Sequence, residues 1–190
     1  MNLANKLTMF RVIIVPFFVF FMCFSAMPYR FLISLVLFAL ASITDMFDGK
    51  VARKYNMVTD FGKFLDPLAD KILVAAALIC FVELGWTSAW VVFVILAREF
   101  LVSGIRLVAA SSEKKVVIPA NIWGKLKTAV TMVAIVVILI LGVLMDDLGL
   151  LVGFPAQLVR DVLMYLSAAL TVISGVVYCY DGRGYIDFRK

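Results

Sequence analysis

Asp45, Asp48, Asp66 and Asp70 are the residues of this chain whose type and spacing point most directly to chemistry. The first pair stands three positions apart in ASITDMFDGK, at the end of an apolar run, and the second stands four apart in FLDPLAD. Spacings of three and four place each pair on one helix face. Four carboxylates gathered at one spot repel by about 4 kcal/mol per close pair, at a separation of ~4 Å and an effective dielectric near 20. Something positive must hold them. The chain has no histidine, and Cys23, Cys80 and Cys179 lack the paired spacing of a zinc site or disulfide framework, so buried packing is their expected role. A donor set of oxygen alone selects a hard cation, Mg2+ or Mn2+, and two such ions roughly 3.5–4 Å apart would clamp a phosphoryl group under displacement. Without histidine, any proton transfer falls to a carboxylate, a lysine, a tyrosine or water.

The neighbours of the aspartates suit the same chemistry. Gly49 and Gly62 lack Cβ atoms and would let a flat or phosphorylated group approach the backbone. Arg53 could fork onto a diphosphate. Taken singly, each has a plainer explanation, as a loop glycine or a cytoplasmic anchoring charge.

The elements that must position these residues are membrane helices. Of the 190 residues, 64% are hydrophobic, and the mean hydropathy is +1.06, which a soluble domain of ordinary composition does not reach. A crossing needs about 20 mostly apolar residues. Segments near residues 7–27, 29–50, 66–85, 87–110, 124–145 and 160–180 qualify. The first apolar stretch, residues 12–26, has no small-x-small cleavage pattern and is expected to remain as a helix. Residues 31–44 are too few to cross alone, so the second helix must run on through Asp45 and Asp48. Asp66 before Pro67 suits the start of the third, because proline is tolerated in the first turn. Six crossings put all but Arg30 and Arg160 of the 18 lysines and arginines on one side, which the positive-inside rule makes cytoplasmic. Merging the third and fourth segments would split the basic clusters across the bilayer. The expected fold is therefore an all-α bundle of six transmembrane helices with both termini cytoplasmic, and residues 1–11 begin it as a short interfacial helical segment.

Read together, residues 45–70 spell D-x-x-D-G-x-x-A-R and, eight residues on, G-x-x-x-D-x-x-x-D. Asp45, Asp48, Gly49, Ala52, Arg53, Gly62, Asp66 and Asp70 fill the fixed positions. This arrangement resembles the signature of the CDP-alcohol phosphatidyltransferases, and the six-span plan extends the likeness along nearly the whole chain. The resemblance implies a single domain over residues 1–190, in which an alcohol attacks the β-phosphorus of a CDP-linked lipid and CMP leaves. It implies that Asp45, Asp48, Asp66 and Asp70 ligate two metal ions and that Asp70 also accepts the hydroxyl proton. It assigns Gly49, Arg53, Thr59 and Gly62, with Thr8 and Arg11 from the N-terminal stretch, to the CDP-lipid. A homodimer in the bacterial inner membrane, surrounded by lipid and with its site facing the cytoplasm, is the corresponding expectation.

The acceptor is sought in a second basic cluster, AREFLVSGIRLVAA and VIPANIWGKLKTAVTM. Arg98 and Arg106 fall within about 80° of each other around a helix. An anionic acceptor would suit them. Within the family these segments resemble the bacterial phosphatidylglycerophosphate synthases, which implies glycerol 3-phosphate as acceptor and Arg98, Arg106, Lys125 and Lys127 as residues that grip its phosphate. Glu99 is expected to pair with a neighbouring arginine. The competing readings are a sister enzyme using inositol phosphate or serine and, in another class, a divalent-cation channel or transporter, which would leave Arg53 and the two glycines without a role. No nucleic-acid partner is expected.

Overall fold

The computed structural model describes the backbone of residues 3–55, 60–111, 122–151 and 153–182, and side chains within 8–44, at 69, and within 71–106, 122–151, 153–178 and at 180. Among the described residues there are six α-helices and no strand: α1 (Leu3–Cys23), α2 (Arg30–Tyr55), α3 (Asp60–Glu83), α4 (Ala89–Ser111), α5 (Ile122–Gly142) and α6 (Ala156–Gly182). A π-helical turn, Val143–Asp147, extends α5. Ile122–Asp147 and Ala156–Tyr178 are long and apolar enough to cross a membrane, and Thr8–Cys23 and Arg30–Thr44 are shorter apolar helices.

The helical segment expected over the first residues is present from Leu3 onward, as the first turns of α1. Thr8 and Arg11 on those turns are buried. Two sequence expectations meet a different structure. The third helix begins at Asp60, not at Asp66, and runs on past Pro67. A proline removes one backbone donor from a helix without necessarily ending it. Cys23, expected to pack in the interior, is exposed, and its thiol donates to the buried Cys80 sulfur at 3.9 Å. Two other expectations hold. α2 continues unbroken beyond residue 44, and the third and fourth helices are separate, because Gly85 takes φ +68° and its N–H closes a turn onto the Val82 carbonyl.

The chain falls into two compact units, the first Met1–Gly85 with Ile135–Ala156, the second Trp86–Ala134 with Gln157–Lys190. In the first unit α1 packs against α2 and α3, and α2 against the π-turn. The seams recur every three or four residues: Thr8, Arg11, Val15, Phe18 and Met22 on α1, Phe31, Ser34, Phe38 and Ala41 on α2, and Ala69, Leu73, Ala76 and Cys80 on α3 are all buried. At the end of α1 and α2 joined by residues 24–29, the Asp147 carboxylate accepts the Leu32 N–H at 2.8 Å. That residue lies in the first turn of α2, where an anion meets both an unpaired donor and the positive end of the helix.

The second unit is built differently. α6 turns Leu158, Val162, Tyr165, Val172 and Val176 outward, while Ser167, Thr171, Ser174 and Tyr178 are buried. A helix in water does the reverse. Apolar side chains outside and small or hydroxyl residues between helices is the pattern that lipid selects.

Candidate active site

Two contacts fix the level of the helices in the first unit. The Phe18 and Phe38 rings meet with centroids 6.0 Å apart, and the short connection through residues 24–29 makes α1 and α2 antiparallel. Arg11 lies seven residues before Phe18, and position 45 seven after Phe38; Thr8 and position 48 are each ten away. With equal rise on both helices, Arg11 is therefore level with position 45 and Thr8 with position 48. The Cys23–Cys80 contact likewise sets α3 parallel to α1. Arg11 is twelve residues before Cys23, and positions 66 and 70 flank the position twelve before Cys80. The backbones at 45, 48, 66 and 70 thus share one level of the unit with Thr8 and Arg11, to within about one and a half helical turns.

The side chains of Asp45, Asp48, Arg53, Asp66 and Asp70, and the whole of Thr59, lie outside the described residues, and of Gly49 and Gly62 only the helical backbone is described. Among the described side chains no group of three or more carboxylate, thiol or imidazole donors is assembled for a metal. The described neighbours are Thr8 and Arg11, each 1% exposed. A guanidinium so deeply enclosed is stable only beside acceptors or anions. The donors offered along these helices are oxygens without imidazole, which fits Mg2+ or Mn2+ and fits zinc or copper poorly.

The four named residues of the second basic cluster, Arg98, Arg106, Lys125 and Lys127, are described and lie within the second unit. Arg98 donates through Nη2 to the Ser174 hydroxyl at 2.6 Å. Its stem crosses α6 at Gly175, where an added Cβ would sit 3.1 Å from Cγ of Arg98. Arg106 donates through Nε to the Tyr178 hydroxyl at 3.3 Å, with the Tyr178 ring centroid 5.3 Å from its guanidinium carbon. Lys127 is 3% exposed and forms an ion pair with Glu99. That pairing corrects the arginine expected for Glu99, and it arises because the exposed Lys125 leaves Lys127 as the lysine of α5 turned inward. Ser174 and Tyr178 were missed in the sequence reading. The signal was there: buried hydroxyls at 167, 171, 174 and 178 follow the spacing of a helix seam on an otherwise apolar helix.

Comparison with known proteins shows the family. The family model for CDP-alcohol phosphatidyltransferase matches residues 1–173. The CDP-diacylglycerol--glycerol-3-phosphate 3-phosphatidyltransferase of Bacillus subtilis is 40% identical over 188 residues, covering 93% of each chain. The protein of the same name from Rickettsia bellii is 40% identical over 177 residues, again 93% of each. A protein named probable phosphatidylglycerophosphate synthase, from Mycobacterium tuberculosis, is 40% identical over 179 residues, covering 93% of this chain and 79% of its own. With its family model spanning residues 1–173 and such relatives running nearly end to end, this chain belongs to the CDP-alcohol phosphatidyltransferase family.

Proposed function

We propose that this protein transfers the phosphatidyl group of CDP-diacylglycerol to glycerol 3-phosphate, giving phosphatidylglycerophosphate and CMP in phospholipid biosynthesis. The observation that carries the reading is the 40% identity, over 93% of the chain, to relatives whose names state this reaction. Members of the family generally use divalent metal ions. Asp45, Asp48, Asp66 and Asp70 are the residues to hold two of them, Mg2+ or Mn2+, which when bound neutralise the diphosphate and stabilise the charge that develops during displacement. Thr8, Arg11, Gly49, Arg53, Thr59 and Gly62 bind the CDP-lipid. The burial of Thr8 and Arg11 at the level of positions 45, 48, 66 and 70 supports that assignment.

Arg98, Arg106, Lys125 and Lys127 grip the acceptor phosphate, with Glu99 paired to Lys127. Asp70 takes the proton of the acceptor hydroxyl, whose oxygen forms the new bond to the β-phosphorus as the bond to CMP breaks. No covalent enzyme intermediate is required. Most of the rate then comes from positioning and charge neutralisation. A lipid substrate must keep its acyl chains in the bilayer while showing its diphosphate to soluble ions, so we place the reaction at the cytoplasmic face of the bacterial inner membrane. The proposed protein is one domain of six crossings with both termini cytoplasmic, and it works as a homodimer.

Release of labelled CMP, measured against a panel of glycerol 3-phosphate, inositol phosphate and serine, tests the reading. Glycerol 3-phosphate is expected to support release and the others to fail. Release driven by inositol phosphate or serine, with glycerol 3-phosphate inert, would move the protein to a sister activity.

A further inference from the structure

The α4 arginines stand eight residues apart, a rise of about 12 Å, yet their guanidiniums are tied to α6 residues only four apart, a rise of about 6 Å. Two forks held at the narrower spacing suit a single phosphate better than two held at the wider one. Gly175 lets the Arg98 stem lie against α6, the Ser174 hydroxyl accepts from its Nη2, and the Tyr178 hydroxyl accepts from Nε of Arg106. A hydroxyl partner fixes the direction of a guanidinium without cancelling its charge, as a carboxylate would. Ser174 and Tyr178 are both buried, so packing restrains the anchors themselves.

We infer that Ser174, Gly175 and Tyr178 of α6 form a positioning device that draws the Arg98 and Arg106 guanidiniums together and sets affinity for the phosphate of the acceptor. The inference rests on the proposed acceptor reading, in which those two arginines hold glycerol 3-phosphate. None of the three α6 residues touches the substrate in this assignment. They act through the arginines.

Gly175→Ala is the sharpest probe, because alanine favours a helix interior over glycine and so separates positioning from stability. In the purified full-length enzyme, Gly175→Ala is expected to raise KM for glycerol 3-phosphate by about tenfold, the scale of one hydrogen bond to a charged group. KM for CDP-diacylglycerol and the melting temperature should hold or, for the latter, rise. Ser174→Ala and Tyr178→Phe should act in the same direction, and Ser174→Thr should restore most of the affinity because it returns the hydroxyl. Arg98→Ala and Arg106→Ala serve as reference. If both arginine variants leave KM for glycerol 3-phosphate unchanged, the acceptor reading itself fails. If the arginine variants raise it while the three α6 variants do not, the positioning role is overturned and the acceptor reading stands. A fall in melting temperature with equal rises in both KM values would reduce α6 to a structural support and overturn the inference as well.

Discussion

The two units differ in what the described side chains place between their helices. In the first, the seam between α1, α2 and α3 is almost wholly apolar, with Phe18, Phe38 and Leu73 at its middle and buried Thr8 and Arg11 towards one end. The buried Ser34 hydroxyl is returned to its own helix, at the Arg30 carbonyl. Apolar packing therefore sets the level at which α2 and α3 present their polar ends. In the second unit Arg98, Arg106 and Lys127 are each placed by a named polar partner on another helix, Ser174, Tyr178 and Glu99. A site delivered by packing should lose its chemistry without losing its fold when a side chain is changed. One assembled from mutual polar contacts should lose some of both.

The largest effects should come from the first unit. Exhaustive chelation should abolish CMP release, and Mg2+ or Mn2+ should restore it; activity that survives chelation would remove the two-ion assignment. Asp70→Asn keeps the size of the side chain and deletes the proposed base. Turnover should fall on the order of 10³-fold, within the range that general-base catalysis contributes. CDP-lipid binding, followed by retention of a labelled analogue, should largely persist, as should the melting temperature. Unchanged turnover would refute the base, and unfolding of the variant would erase the contrast between the units.

The same contrast explains what could be read from the sequence. The aspartate motif lies within residues 45–70, on two consecutive helices, so a short stretch of sequence was enough to propose these residues as one set. The continuation of α2 through position 45 followed from a length requirement, since residues 31–44 cannot span lipid by themselves. The start of α3 was misjudged because proline is a signal of where a helix can begin, not of where it must. In the second unit, Arg98 and Arg106 were visible as a basic face of one helix, but their partners stand more than 70 residues further along the chain. No local pattern links them. Glu99 went to Lys127 instead of an arginine for the same reason: the pairing depends on how α5 is rotated, which charge counting does not reveal.

A middle-sized effect should come from the Lys127–Glu99 pair. Lys127→Met leaves a partly enclosed carboxylate without its cation, and breaking a buried pair from one side costs about 3 kcal/mol or more. The variant should melt markedly lower in detergent. Replacing both partners, Lys127→Met with Glu99→Met, removes the stranded charge and should recover most of that loss. If the double variant also regains the wild-type KM for glycerol 3-phosphate, Lys127 serves the fold alone. A KM that stays high in the recovered protein would make it a phosphate contact too, and would show that the second unit's polar residues carry both duties at once.

The smallest effect is expected at a polar contact of the first unit, the Asp147 carboxylate on the Leu32 N–H. The π-turn makes this possible: the Leu148 N–H reaches back five residues to the Val143 carbonyl, widening the last turn of the helix so that its end meets α2. Asp147→Ala removes one donor's partner and one favourable charge at a helix N-terminus, together worth about 1 kcal/mol. The melting temperature should fall slightly, while both KM values and turnover stay at wild-type levels, because the contact lies at the end of α2 away from position 45. Asp147→Asn should recover part of the loss, since an amide oxygen can still accept from the Leu32 N–H. A change in KM for CDP-diacylglycerol in Asp147→Ala would mean that the level of α2 against α1 is set from this end as well as by the Phe18–Phe38 seam, and that packing alone does not place the carboxylates.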